Sequence, residues 1–485
     1  MNFKTAVKKT NSGYLFLFSF LTVFIITPLF QKGVFGDGLM YLTVAFNRFK
    51  GYGSFWEQRY SETSMSFFCE QPPLYFESLG WFYKFFGGAE IAEKIFTLVL
   101  LFLIVILISA IWNRLNANDK KYKQISWLPS VLLLIIPIFS WTYSNQVIET
   151  MVVPLSLLVF YLHLIFIKTD NNMKKFVSFF GIIVLLFLLL LTKGAQSVFL
   201  LGALFLAGIT IEKKNLKKLI LQNILLVIIF SGICVTVFLS NEKARFWTEN
   251  YFHKRLVATF NHVGATANYH AEIIVRYFSE LIPVFVLLLI ISVYFKIKYK
   301  YFFSIQWENF KKNKTALWLI LISLSASFPM ALTLEQRGFY LTPSFPFVVL
   351  GLALLYKKYF YILLSKVFVG REKIIFGIAG VFMLGGILFF FQFKNNYKRD
   401  EGMIKDVELL KKIIPYGEII GIDQSVWNTF SLHSYLNKEN NNSLLVSDTT
   451  KFFVQDKENK IPIPTNYKKL NLNTFWLDVY QKTIP

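Results

Sequence analysis

The feature that most limits how this chain can fold is a series of long apolar stretches separated by short, lysine-rich connections. Crossing the hydrocarbon core of a bilayer takes roughly 20 helical residues at about 1.5 Å each. Eleven stretches meet or approach that length: about 14–31, 91–112, 125–143, 147–168, 175–191, 195–211, 218–240, 281–296, 315–334, 339–356 and 374–393. With 55% hydrophobic residues and 18% aromatics, the chain is far more apolar than a water-soluble domain. A backbone in lipid must satisfy its own polar groups, so the pattern predicts an all-α polytopic membrane bundle of about eleven spans.

Charge sets the orientation. A net charge of +22 would suit a nucleic-acid binder if the cations shared one face. They sit instead between the apolar stretches, as the positive-inside rule requires, which excludes nucleic acid as the partner. Lys4, Lys8 and Lys9 precede the first stretch, and Arg114, Lys120, Lys121 and Lys123 follow the second. Further clusters are Lys168, Lys174 and Lys175; Lys213, Lys214, Lys217 and Lys218; and Lys296, Lys298, Lys300, Lys311, Lys312 and Lys314. The last cluster is Lys357, Lys358, Lys366, Arg371 and Lys373. Strict alternation puts every one of these inside. The N-terminus is then cytoplasmic and, with an odd number of spans, the C-terminus lies outside. No small-residue cleavage site follows the first stretch, so it reads as a retained span rather than a signal peptide. Cys69 falls in a polar segment and Cys234 inside an apolar stretch, so a disulfide between them would join the membrane surface to its interior and is not expected.

Three outer segments are too long to be connectors: 32–90, 241–280 and 394–485. Residues 38–50 and 74–86 place aromatic and aliphatic side chains at helical spacing between polar ones, which suits helices lying in the membrane interface. Residues 394–485 lose the membrane composition. An amphipathic pattern at Ile404, Val407, Leu410 and Ile413 precedes the strand-like GEIIGID, so this segment reads as a small α/β domain. The expected division is a transmembrane domain over 1–393, including the outer loops 32–90 and 241–280, and a C-terminal extracytoplasmic domain over 394–485 that folds separately.

Charged residues near spans are costly, and five gather on the outer side: Asp37, Glu70, Glu149, Lys193 and Arg337. A carboxylate facing a cavity can take the proton of an acceptor hydroxyl or amine. Cations beside it can neutralise a phosphate leaving group, whose conjugate acid is already strong enough to need no general acid. One base and several cations therefore suit transfer of a sugar from a lipid phosphate.

The order VFGDGLMY, EQPPLYFESLGWFYKFFG, LTKG and QRGFYLTPSFP resembles the GT-C superfamily of polyprenyl-phosphate-dependent glycosyltransferases. The nearest branch holds the protein O-mannosyltransferases and the bacterial transferase that adds aminoarabinose to lipid A. The resemblance covers roughly residues 10–350 and implies a multi-span bundle with two surface helices in the first outer loop. It implies an inverting transfer at the outer face of a bacterial cytoplasmic (inner) membrane, with Asp37 as catalytic base and Glu149 as the second acidic position. Lys193, with Gly194, matches the Lys-Gly motif, and Arg337 with Tyr340 matches the element that contacts donor phosphate. Glu70 and Gln71 match an acidic-basic pair, and Gln71 departs from the lysine of the aminoarabinose branch. Arg255 joins the donor-phosphate candidates, while His262 and His270 are either interfacial packing residues or ligands. A divalent metal held by Glu70 and one histidine is implied by analogy alone, since two ligands are a weak signature.

The partners so implied are a polyprenyl-phosphate-linked sugar, a lipid, glycan or protein acceptor, and membrane lipids. Two alternatives use the same ligand. A lipid-linked glycan flippase or transporter would show interrupted helices and a pseudo-repeat, and a glycan polymerase would concentrate arginines in one outer loop. A scaffolding protein would make the ordered motifs coincidental. The lysine pattern itself is testable: a reporter active only outside the cytoplasm, fused after residue 485, is expected to give full signal. A stable but silent fusion would remove the eleven-span orientation.

Overall fold

The computed structural model describes residues 3–261, 264–299, 313–368, 370–458, 462–463 and 465–483. Each apolar stretch of the sequence is helical there. Eight helices are long and apolar enough to cross a membrane: Thr10–Phe30, Ile91–Leu115, Glu149–Lys168, Asn172–Ser197, Lys213–Ser240, Lys314–Leu332, Gly338–Val367 and Glu372–Phe393. A ninth candidate is the pair Glu272–Glu280 and Ile282–Lys298, bent by 47°. The other two stretches are shorter. Phe199–Thr210 is a single apolar helix, and the stretch near 125–143 is broken into Leu128–Leu134 and Pro137–Ser144. Pro137 explains the break, because its ring removes an amide donor and clashes with the preceding turn. The described residues therefore hold eight such spans, or nine if the bent pair counts as one, against the eleven that the sequence pattern implied.

Residue contacts divide the chain into two units. The first comprises Met1–Thr27, Thr97–Ser144 and Ile148–Gln392 and holds most of the apolar helices. Several of its interior polar groups are paired with one another. The Tyr277 and Ser323 hydroxyls lie 2.8 Å apart, Ser323 donates to the Ser344 carbonyl at 2.8 Å, and Trp318 Nε1 donates to the Ala203 carbonyl at 3.1 Å. The Thr142 and Thr342 hydroxyls, 2.9 Å apart, tie the Pro137–Ser144 helix to the 3₁₀ turn Gly338–Ser344.

The second unit comprises Pro28–Phe96, Asn145–Val147 and Phe393–Pro485. Helices are present where expected at 38–50 and 74–86, as Gly36–Phe49 and Leu74–Phe85, the first of them largely buried rather than lying on a surface. On the latter, Trp81 and Phe85 are exposed, with the Lys84 ammonium 4.9 Å from the Trp81 ring centre, an amphipathic surface of the interfacial kind. The C-terminal segment is α/β, as its composition suggested. Strands β1 (Ile419–Ile422), β2 (Ser443–Val446), β3 (Phe452–Asp456), β4 (Tyr467–Lys469) and β5 (Leu477–Lys482) form one sheet in the order β2-β1-β3-β5-β4. β1 runs parallel to β2 and β3, and β5 antiparallel to β3 and β4. The fully buried Asp406 accepts the amides of Phe475, Trp476 and Leu477 at 2.6–3.0 Å and so fixes the entry into β5.

Here the division differs from the boundary at 393. Segment 32–90 groups with the C-terminal segment, and the reason is packing. Leu39 belongs to the same buried apolar cluster as Val407, Ile420, Leu436, Val454 and Val479. Around it the Tyr60 and Ser434 hydroxyls meet at 2.7 Å, and Asn47 donates to Asn437 at 3.0 Å. Lys438 donates to Glu93 at 2.8 Å with the pair 11% and 2% exposed, while the Tyr83 hydroxyl holds the same carboxylate oxygen. Burial alone would lower the Lys438 pKa, and the carboxylates of Glu93 and Glu90 outweigh it and hold it above the usual lysine value. Breaking a buried pair on one side costs about 3–5 kcal/mol. Lys438→Met is therefore expected to lower the melting temperature of the purified protein, and Glu93→Gln added to it to restore much of the loss. An unchanged melting temperature in Lys438→Met would show that the pair contributes nothing.

Candidate functional site

A helical hairpin places the first two functional side chains. Glu149 opens the 20-residue helix Glu149–Lys168, and Lys193 closes the 22-residue helix Asn172–Lys193 that returns along it. Two helices of nearly equal length joined by a short turn bring those ends level. Asn171 sharpens the turn by accepting the Lys174 amide at 2.9 Å. Each charge also suits its helix end, the carboxylate at the positive N-terminus and the ammonium at the negative C-terminus. They meet as an ion pair at 2.9 Å, with side chains 1% and 5% exposed.

Gly194 ends the second helix with φ 73° and ψ −155°, a backbone region essentially closed to other residues. A Cβ there would also lie 2.4 Å from the Tyr251 hydroxyl. The Lys-Gly pair is thus a stop signal with a physical reason: the lysine must end its helix and the chain must turn under Tyr251. Ser197 then holds the following 3₁₀ turn by donating to the carbonyls of Leu189 and Gly194 at 2.6 and 2.7 Å.

Tyr340 lies across the pair. The Lys193 ammonium stands 4.6 Å from the centre of its ring, and its hydroxyl donates to Glu335 at 3.2 Å. Glu335 also pairs with Arg255, whose side chain is 25% exposed. Arg255 sits in the π-helical turn Phe252–Val257, a helix irregularity often found at functional sites. The chain Glu149, Lys193, Tyr340, Glu335, Arg255 is therefore continuous within the first unit. Glu149, Lys193, Ser197, Met330, Tyr340 and Pro343 are among the residues around a cavity of about 10 Å³, room for about one water.

Four sequence candidates, Glu149, Lys193, Tyr340 and Arg255, are thus brought into one network. Arg337 is half-buried at the head of the Gly338–Ser344 turn, its carbonyl accepting the Tyr340 amide at 3.1 Å. Asp37 and Glu70 belong to the second unit, both half-buried. Asp37 lies in the first turn of Gly36–Phe49, and the next residue, Gly38, packs so closely on the Asn145 carbonyl that a Cβ would come within 1.9 Å. His270 is exposed, with Nδ1 2.9 Å from the Ala331 carbonyl oxygen. His262 lies outside the described residues. Among the described residues no group of three or more His, Cys, Asp or Glu side chains is placed to hold a metal.

Two residues escaped the sequence reading. Glu335 stands in LEQRG, two positions from Arg337, and its acidity in a loop otherwise short of acids was the available sign. Arg276 lies in a helix whose pattern reads as ordinary amphipathic surface, yet its guanidinium packs where a Cβ of Gly338 would be, at 2.3 Å. That contact explains the glycine after Arg337 as a matter of space.

The fold recurs among solved structures. ArnT from Cupriavidus metallidurans shares it: its structures bound to undecaprenyl phosphate and in the apo state match with TM-scores of 0.66 and 0.65. Both cover 96% of this chain and 97% of theirs at 12% identity. The archaeal oligosaccharyltransferase AglB from Archaeoglobus fulgidus, in complex with an inhibitory peptide and a dolichol-phosphate, matches at 0.47 and 12% identity, over 92% of this chain and 69% of its own. No family model and no curated protein matches the sequence itself. The likeness is one of fold.

The tightest local constraint is Gly194. Gly194→Ala is expected to push Tyr251 and Lys193 apart and to lower the melting temperature of the detergent-solubilised protein, by more than the 0.4–1 kcal/mol that an unstrained Gly→Ala change would add to stability. Tyr251→Phe removes the clashing hydroxyl and should recover part of the loss. Equal melting temperatures for wild type and Gly194→Ala would show that the turn is not constrained.

Proposed function

We propose that this protein is an integral membrane glycosyltransferase. It moves a sugar from a polyprenyl-phosphate donor, of the undecaprenyl-phosphate type, to a lipid, glycan or protein acceptor on the outer face of the cytoplasmic membrane. One observation supports this reading above the rest. Lys193, Tyr340 and Arg255 form a phosphate-suited constellation in a chain that shares, over 96% of its length, the fold of a protein crystallised with undecaprenyl phosphate.

The chemistry follows from charge. The donor is a phosphodiester with one negative charge, and the departing polyprenyl phosphate is a monoester that gains a second near neutral pH. Cations fixed beside it favour the transition state over the bound donor. Arg337 and Arg255 supply forked donors, and Lys193 a point charge released from Glu149 as the phosphate arrives. The acceptor attacks the anomeric carbon from the face opposite the phosphate, its proton passes to Asp37, and the bond from that carbon to the phosphate oxygen breaks. The configuration inverts.

A transport reading has two observations in its favour, the broken helix near Pro137 and the bent pair Glu272–Lys298. A transporter leaves the sugar–phosphate bond intact. Release of free polyprenyl phosphate by protein in detergent, where no two sides exist, therefore separates the readings.

Asp37→Asn keeps size and hydrogen bonding but removes the base. It is expected to spare expression and donor binding and to lower transfer by about 10²–10⁴-fold, the usual value of a general base. Glu149→Gln should act instead through Lys193, altering donor affinity more than turnover. In-membrane transfer at matched protein levels decides. Near wild-type turnover in Asp37→Asn beside an inactive Glu149→Gln would move the base to Glu149.

A further inference from the structure

Donors from two separate segments converge on one buried carboxylate. The Arg255 guanidinium pairs with Glu335 Oε1, and the Tyr340 hydroxyl donates to the same oxygen at 3.2 Å. The Thr259 hydroxyl stands 3.0 Å from Oε2, sharing its proton with the Arg255 carbonyl at 2.7 Å. The Glu335 side chain is 7% exposed. Beyond the Tyr340 ring lies the Lys193 ammonium, 4.6 Å from its centre. A guanidinium, two hydroxyls and a nearby ammonium are what a phosphate requires, with oxygens at the places the carboxylate oxygens now hold.

The surrounding backbone shows which part is free to exchange. Leu334 is pinned by the amides of Thr266 and Ala267, at 2.9 and 3.0 Å. Gln336 is pinned at both ends: its amide donates to the Thr266 hydroxyl at 2.9 Å and its side chain to the carbonyls of His270 and Thr333 at 2.8 and 2.7 Å. Between two fixed neighbours, the Glu335 side chain alone can leave by rotating its torsions. Its departure uncovers Arg255 and both hydroxyls without moving the main chain.

We infer that Glu335 is an internal anion that occupies the donor-phosphate site and is displaced by the polyprenyl phosphate. This rests on the glycosyltransferase reading above and adds to it a built-in competitor. It has two consequences. The partly buried arginine keeps a counter-charge whether or not a ligand is bound. And only a ligand with enough apolar tail to bind independently in the bundle can displace the carboxylate, so a free sugar phosphate or inorganic phosphate is held off.

The test uses the full chain in detergent and undecaprenyl phosphate as the probe, with binding read by native mass spectrometry. Wild type, Arg255→Gln, Glu335→Gln and Glu335→Asp are compared. Glu335→Gln keeps the shape and removes the charge; it is expected to tighten binding about tenfold, equivalent to about 1.4 kcal/mol. Glu335→Asp keeps the charge but shortens its reach, and it should tighten binding less. A residue that merely braced the site would weaken binding when altered, so a gain separates the roles. If wild type binds the probe, Arg255→Gln weakens it and neither Glu335 variant tightens it, the internal-anion inference falls alone. If Glu335→Gln fails to fold, the Asp variant decides by the same criterion. If no form of the protein binds the probe, the donor reading falls and takes this inference with it.

Discussion

A charge buried among apolar helices persists only when another group balances it, and that constraint organises this molecule. Glu149 is balanced by Lys193 and Arg255 by Glu335 in the bundle, and Glu93 by Lys438 in the second unit. In each case the partners come from segments separated in sequence, and each pair joins elements that periodicity alone would leave unconnected. Under the proposed donor reading, the cations of the bundle pairs, Lys193 and Arg255, are groups a phosphate would need.

Much of the architecture was legible because it follows from local rules. Apolar length foretold the helices, and aromatic spacing foretold two more within a residue or two, at Gly36–Phe49 and Leu74–Phe85. The loss of apolar composition after residue 393 foretold the sheet domain. What composition could not show was the break at Pro137, where apolar residues continue but the ring interrupts the helix. The site was legible in part for the same reason. Glu149, Lys193, Arg255 and Tyr340 could be read because each is a polar residue out of place. Their mutual arrangement could not, since it depends on the hairpin that levels two helix ends and on the turn that swings Tyr340 across them. Glu335 was passed over because an acid beside an arginine reads as a local surface pair, whereas its partner is Arg255, eighty residues away in sequence.

Two glycines show how the backbone serves the side chains. Gly194 permits a conformation that ends the helix after Lys193, and Gly338 makes room for the Arg276 guanidinium. Neither touches the charges directly. Both fix where a neighbouring cation can be, which is the geometric precision a charged site among helices needs.

Leu39 has a consequence for how the protein is made. It is buried in a cluster whose last members, Leu477 and Val479, are synthesised some 440 residues later. At the usual translation rates of about 5–20 residues per second, that interval lasts on the order of 20–90 s. Throughout it the helix Gly36–Phe49 has left the ribosome without the apolar partners from the C-terminal segment that will cover Leu39. The nascent chain must therefore be sheltered, by the lipid surface or by a chaperone, for as long as the rest of the bundle takes to emerge.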